Sequence, residues 1–258
     1  MATHHTLIDG TTYKITGGSV LIAGTKYQIG GGGTAEVAGT KMSIPFSSGI
    51  PLSTTTPGEI LMLNESGSLV PFYIAKHDYE SGLNGAGRTL LVRKDCSDEM
   101  KFSDGSNTYA NKTLDTWLCN TYLKRLDADI QTMINTTTFY YSPGGFSYHP
   151  VTTLQRAVFQ LSLTELGGTG EYANTEGSTL PIASTLQIAY KNGSASRQWT
   201  RTPATSGATS AYYFSSDGSY KYSNCRNYGN ARPAFTLPGT LGIEQNADGT
   251  YSITENTK

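Results

Sequence analysis

Apolar residues in this chain fall into short runs that alternate with polar ones, and few stretches follow a helical step. Alternation at period two marks half-buried strands, whereas apolar residues at three- and four-residue steps mark one face of a helix. The run Gly58-Glu-Ile-Leu-Met-Leu63 predicts a strand closed by the turn Asn64-Glu-Ser-Gly67, and residues 69–75 and 89–93 predict further strands. Between Asn111 and Leu126 the step changes. Leu114, Trp117, Leu118, Tyr122 and Leu126 share one helical face, with Asn111 or Thr113 available as N-cap, so Trp117 is expected in the core. Arg156 to Leu163 predicts a buried strand with Val158, Leu161 and Leu163 inside, and Ser184 to Tyr190 a second short helix ended by Asn192-Gly193. From Ser194 onward no helical step survives. Asp217-Gly218 between Phe214 and Tyr220, and Asp248-Gly249 between Ile243 and Ile253, predict hairpins.

The first fifty residues carry an internal repeat. Leu7-Ile-Asp-Gly-Thr-Thr-Tyr-Lys-Ile15 aligns with Leu21-Ile-Ala-Gly-Thr-Lys-Tyr-Gln-Ile29 and with Glu36-Val-Ala-Gly-Thr-Lys-Met-Ser-Ile44, which superposes Gly10, Gly24 and Gly39. Each unit reads as a tiny hairpin or solenoid-like turn, joined by the flexible connectors Thr16-Gly17-Gly18-Ser19 and Gly30-Gly31-Gly32-Gly33. A unit this small cannot bury its own apolar face. It must stack on its neighbours, on another domain or on further copies of the chain. An attachment or oligomerisation module and a local β extension of the main domain both fit. Pro45 and Ser53-Thr-Thr-Thr-Pro57 mark the boundary, giving an N-terminal module over residues 1–50 and a main domain over 51–258.

Composition sharpens this picture mainly by exclusion. The net charge of −1 and scattered Lys and Arg leave no electrostatic footprint for nucleic acid. No apolar run reaches the roughly 18 residues that a membrane span needs, and the N-terminus lacks the basic and apolar stretches of a signal peptide. The expected class is a protein made in the cytoplasm without export. Cys96, Cys119 and Cys225 show neither disulfide nor zinc spacing, and they read as structural thiols. His77 and His149 stand alone, and Gly82-Leu-Asn-Gly85-Ala-Gly87 has the wrong spacing for a phosphate loop. No nucleophile, metal or cofactor motif is present, so the expectation is a protein with no catalytic residues, no cofactor and no metal.

Residues 198–237 are different. Between Trp199-Thr-Arg201-Thr-Pro203 and Ala231-Arg232-Pro233-Ala234-Phe235 lies a stretch dominated by Tyr, Ser, Asn and Gly. Tyrosine offers a large amphipathic contact area at low entropic cost, and Ser, Gly and Asn adapt their hydrogen bonding, which is the chemistry of antibody binding loops. An ordinary turn-rich β region of a polar protein has the same composition.

The ordered motifs Trp-x-Arg-Thr-Pro, Ala-Tyr-x-Phe-x-x-Asp-Gly and Arg-Pro-Ala-Phe resemble a family of unknown-function domains common in phages and prophages of gut bacteria. Thr113-Leu-Asp-Thr-Trp-Leu-Cys-Asn120 and Gln160-Leu-Ser-Leu-Thr-Glu-Leu166 look like the same family's signatures, so the likeness covers roughly residues 58–243. That family is similar to C-type-lectin-like variable proteins, which share the formylglycine-generating-enzyme fold and include the phage tail tropism determinants rewritten by diversity-generating retroelements. The resemblance implies an α+β, C-type-lectin-like domain with two short helices and mostly antiparallel strands, preceded by the β-repeat module. It implies that Trp199, Arg201, Pro203, Ala211, Phe214, Gly218, Arg232, Pro233 and Phe235 are scaffold.

The ligand contacts it implies, near residues 205–230, are Tyr213, Ser215, Ser216, Tyr220, Tyr222, Asn224, Arg226, Asn227, Tyr228 and Asn230. Regular alternation puts Tyr212 and Tyr213 on opposite faces, one of them inward. The function implied is non-enzymatic recognition, by a virion tail protein, of a bacterial cell-surface protein or glycan. The N-terminal module would bind other virion tail proteins and assemble copies of the chain, for instance as a trimer. A structural decoration or tail subunit without specific ligand is the alternative. The calcium motifs of animal C-type lectins are missing, so recognition is expected to be calcium-independent. An enzyme of the formylglycine-generating type would need an exposed, reactive Cys225.

Overall fold

The computed structural model describes residues 4–8, 11–16, 19–22, 25–28, 34–37, 40–43, 49–145 and 149–254. It divides into two units, one of Met1–Ile50 with Thr254–Lys258 and one of Pro51–Ile253.

The first unit is a series of short strands: β1 (His4–Ile8), β2 (Thr11–Thr16), β3 (Ser19–Ile22), β4 (Thr25–Gln28), β5 (Thr34–Val37) and β6 (Thr40–Ser43). β1 to β4 form a four-stranded antiparallel sheet in sequence order, and β5 pairs with β6. The registers Ile8↔Thr11, Ile22↔Thr25 and Val37↔Thr40 leave two residues for each connection. The repeat glycines Gly10, Gly24 and Gly39 lie in those connections, outside the described residues. Thr16 and Ser19, expected in a flexible connector, are instead paired strand residues of β2 and β3.

The second unit is α+β, mostly strand with a few short helices. Its elements follow in the order β7 (Ile50–Pro51), β8 (Ile60–Glu65), β9 (Ser68–Lys76), α1 (Ser81–Asn84), β10 (Arg88–Arg93), β11 (Glu99–Lys101), α2 (Thr113–Trp117), α3 (Ala128–Met133), β12 (Thr137–Tyr141), β13 (Thr152–Arg156), β14 (Phe159–Gln160) and α4 (Ala183–Gln187). Then come β15 (Ala189–Lys191), β16 (Ser194–Ser196), β17 (Gln198–Pro203), β18 (Ser210–Phe214), β19 (Tyr220–Asn224), β20 (Tyr228–Asn230), β21 (Pro233–Pro238), β22 (Gly242–Gln245) and β23 (Tyr251–Ile253).

An eight-stranded sheet runs β14-β21-β10-β9-β8-β23-β22-β7, and a five-stranded sheet runs β11-β20-β17-β18-β19. β8 shows why this sequence makes a strand: Leu61 and Leu63 point into the core while their neighbours do not. The turn to β9 carries Ser66 and Gly67 at positive φ, as a two-residue hairpin turn requires. β10 is central, and Leu90, Leu91 and Val92 are all fully buried. Phe72 meets Phe235 edge-on at 5.4 Å, and Phe139 stacks on Phe159 at 4.5 Å.

The helical face sits where its apolar step predicts, with Leu114, Leu118, Tyr122 and Leu126 inside. The helix continues from α2 through a π turn at Leu118–Tyr122 and a 3-10 turn at Leu123–Arg125. Neither Asn111 nor Thr113 caps it through a side chain. Lys112 holds the cap position, and Asp115 reaches back so that its Oδ2 accepts the Asn111 amide at 2.7 Å. Trp117 is half-buried and packs against the core, its ring 5.7 Å from Tyr122 and the Arg125 guanidinium over it at 5.1 Å.

Two further expectations change. The predicted strand over 156–163 is broken: β13 ends at Arg156 and β14 is only two residues, although Val158, Leu161 and Leu163 are buried as expected. The second helix stops at Gln187, and Asn192-Gly193 turns the β15–β16 hairpin with φ of 51° and 78°. Both predicted C-terminal hairpins form, with Phe214 opposite Tyr220 and Ile243 opposite Ile253. No helix among the described residues is long and apolar enough to cross a membrane.

Candidate functional site

The frame beneath the Tyr-rich stretch is buried and polar. Arg201, on β17, is 0% exposed, and its Nη1 donates to Glu165 Oε2 at 2.6 Å and to the Gln160 carbonyl at 3.0 Å. Its Nε and Nη2 donate to the Tyr140 carbonyl. Tyr79 completes Glu165 through its hydroxyl. Arg232 is 2% exposed and spends its guanidinium on backbone, donating to the carbonyls of Arg93, Lys94 and Leu186. Trp199 donates its indole N–H to the Met100 carbonyl at 3.0 Å and packs edge-on against Phe102. Pro203, Ala211, Phe214, Pro233 and Phe235 are buried with them.

A second carboxylate lies within the same interior. Glu176 is fully buried, accepts the Ser142 amide at 2.5 Å, and bonds the Thr202 hydroxyl. Burial pushes its carboxyl up to about 7, against the opposing pull of Arg201 and its hydrogen bonds, with Glu165 adding repulsion. Glu80 is raised for the same leading reason, burial, followed by Glu165.

On this frame stands the β18–β19 hairpin. Ser215 and Ser219 close it, the Ser215 amide donating to the Ser219 carbonyl at 2.7 Å. Asp217 Oδ1 accepts the Ser219 amide and hydroxyl, which holds its carboxyl below the usual range. Gly218 takes φ 79°, a conformation that costs glycine nothing. Direct cross-strand pairs share a face. Tyr220 therefore leans on buried Phe214 at 5.9 Å, and Tyr222 on buried Tyr212 at 5.6 Å, while both keep open area, 39% and 48% exposed. Tyr213 faces the other side, edge-on to Trp199 with the Arg197 guanidinium 4.2 Å over its ring.

Ser216, Asn224, Arg226 and Asn227 are exposed, and Ser215 and Tyr213 half-buried. The 224–227 turn is held by its own side chains: Asn224 Oδ1 accepts the Arg226 amide, and Asn227 Nδ2 donates to Ser223 Oγ. Tyr228, on β20, is more open than either Tyr220 or Tyr222, at 58%. β20 is separated from β19 by β17 and β18, so Tyr228 stands apart from the Tyr220–Tyr222 pair within the same sheet.

Asn230 is corrected. It is 3% exposed, and its amide donates to the Arg197 carbonyl at 2.7 Å and to Ser196 Oγ at 3.1 Å while Lys191 donates to its Oδ1. It lies within the five-stranded sheet, paired in parallel with Gln198, and its side chain is spent on bonds inside the chain.

Sequence reasoning missed the segment that floors the hairpin. Tyr172 meets Tyr222 edge-on at 6.0 Å, and its amide donates to the Tyr212 hydroxyl at 3.1 Å. Gly170 permits this, because a Cβ there would lie 2.5 Å from the Tyr212 ring. The signal was the glycine run Gly167-Gly168-Thr169-Gly170, which ends two residues before Tyr172.

Cys225 is buried just past the end of β19, and burial pushes its thiol up to about 12, so it stays protonated at neutral pH. His77 is structural, bonded to Thr89 Oγ1 and the Thr55 carbonyl. Among the described residues no cluster of His, Cys, Asp or Glu is placed to hold a metal ion.

A family model described as a domain of unknown function (DUF6273) matches residues 86–239, a span from just before β10 to just after β21 that contains the whole hairpin. No curated protein matches the chain, and no solved structure does.

Proposed function

The chain belongs to the DUF6273 family, and from that footing we propose that it is a recognition protein without catalytic activity, whose ligand surface is the β18–β19 hairpin with the 224–228 turn. The observation that carries this reading is the pairing of a fully buried Trp199–Arg201–Arg232 frame with three tyrosines that keep 39–58% of their area open. Exposed aromatic rings held by a rigid support release ordered water on contact and order little of their own conformation. Asn224, Arg226 and Asn227 supply hydrogen bonds beside them, with backbones already fixed.

The same proposal extends to the scaffold and setting. We read the Pro51–Ile253 unit as C-type-lectin-like. Support comes from its eight- and five-stranded sheets, its few short helices and its last strand β23 lying beside its early strand β8. On the resemblance of its ordered motifs to prophage domains, the protein belongs to a virion tail. There the strands of residues 4–43 bind other tail proteins and join copies of the chain, and the target is a bacterial cell-surface protein or glycan.

The test is the triple variant Tyr220→Ala, Tyr222→Ala, Tyr228→Ala. Labelled wild-type protein is screened against a panel of bacterial strains by flow cytometry, and the variant is compared on the strains that bind. At least a tenfold loss of binding with a retained cooperative melt is expected. A variant that binds as wild type, or one that no longer folds, defeats the reading. A decoration subunit would instead leave residues 212–230 unchanged across related loci, which sequencing reveals.

A further inference from the structure

We propose that the groove between the Asp104–Ser106 turn and the exposed face of the α2 helical stretch is a second binding site, which takes an uncharged saccharide. The groove is open to solvent and offers about 710 Å³ of space, room for a small ligand. One wall is a helical stripe: Thr113, Thr116, Trp117, Asn120 and Thr121 recur at three- and four-residue steps, opposite the buried stripe of Leu114, Leu118 and Tyr122. Four of the five are exposed hydroxyls or amides, and the fifth is a half-buried indole. The helix passes through its π turn along this wall, a geometry that recurs at binding sites.

The lining chemistry selects the ligand class. No aliphatic side chain lines the groove, so an apolar molecule would gain little there. The two charged residues, Asp104 and Lys112, are of opposite sign, so neither an anion nor a cation is favoured. What remains is a set of neutral donors and acceptors beside one half-buried indole, whose ring also carries the Arg125 guanidinium at 5.1 Å. A pyranose presents the matching pair, a rim of hydroxyls and an apolar C–H face.

The walls are already set for binding. Ser103 Oγ accepts the amides of Gly105 and Ser106, and the Leu114 amide donates to the Phe102 carbonyl. Arg156 clamps Asp115 and Asn111. The groove also adjoins the hairpin surface. Arg226 lies across Gly105, where φ is 125° and a Cβ would sit 3.0 Å from the guanidinium, and donates its Nε to the Asp104 carbonyl at 3.1 Å. A glycan chain seated in the groove would thus pass the 224–228 turn. The proposal deepens the recognition reading by choosing its glycan arm, but it stands on different residues.

The chain has two tryptophans, and Trp199 is fully buried, so a change in indole emission on ligand addition reports Trp117. Full-length protein is titrated with chitotriose, maltotriose and mannotriose at millimolar concentration, with calorimetry alongside. At least one is expected to shift the emission and bind. Thr116→Ala with Asn120→Ala, both exposed positions, is expected to weaken that binding at least tenfold without changing the melt. The tyrosine triple variant is expected to keep it. No response to any of the three sugars overturns the proposal, as does an unchanged affinity in the Thr116/Asn120 double variant. A response lost only in the tyrosine triple variant also overturns it, and moves the saccharide to the hairpin. Loss of cell binding by the triple variant with saccharide binding intact separates the two readings.

Discussion

β17 and β19 belong to one five-stranded sheet and both carry polar side chains, yet the two strands deal with water in opposite ways. On β17, Gln198, Thr200, Arg201 and Thr202 are buried, and each has its hydrogen bonds met inside the chain. On β19, Tyr220, Lys221, Tyr222 and Asn224 face solvent. The strand between them, β18, gives Tyr212 to the interior and Tyr213 to a half-covered cation–π stack. Buried polar networks fix a geometry because every broken bond leaves a desolvated group behind. Exposed polar residues carry no such penalty and are free to be chosen for contact. The sheet changes from buried frame to solvent-facing strand within two strands.

The comparison breaks first at Arg201. Arg201→Met keeps the volume and removes the cation that neutralises buried Glu165, and a loss of about 3–5 kcal/mol is expected from chemical denaturation. A smaller effect comes from Glu176. Its carboxyl titrates near 7 in the fold and near 4.3 in an unfolded chain, so the folded protein holds a proton that the unfolded one releases. Its contribution is complete below the unfolded value and is lost as pH rises through 7. Stability should therefore fall by about 3 kcal/mol between pH 4.5 and 7.5 from this group. Denaturation midpoints measured across that window give the slope, and Glu176→Gln, which cannot ionise, should flatten it. The smallest effect belongs to the display: Tyr228→Ser, at a position 58% exposed, should change stability by no more than about 0.5 kcal/mol. A loss beyond about 2 kcal/mol would make Tyr228 part of the frame.

Local chemistry made much of this legible in the sequence. Asp217-Gly218 and Asp248-Gly249 set hairpin registers because glycine supplies the positive φ their turns need. The Leu114–Leu118–Tyr122 step gave a helical face because only one face of that helix meets the core. Asn192-Gly193 was misread for a physical reason: the same dipeptide ends helices and turns hairpins, and the pairing of β15 with β16 decides between them. Composition could not separate Asn227 from Asn230. Both sit in one polar stretch, and only the pairing of Asn230 with Gln198 buries it. The Arg201–Glu165–Tyr79 network joins residues 36 and 86 positions apart, a separation at which no local pattern exists. Trp117 followed the apolar step and does pack against the core beside Tyr122, yet it stays half-buried, with the Arg125 guanidinium over its ring.

The three thiols have a practical consequence. Burial raises Cys96 and Cys119 to about 11 and Cys225 to about 12, so at neutral pH all three stay protonated and slow toward electrophiles. A cysteine introduced at Tyr222 would meet water and a maleimide first. The molecule thus comes ready for single-point attachment of a dye or a crosslinker on its exposed β18–β19 hairpin, with no native cysteine removed beforehand.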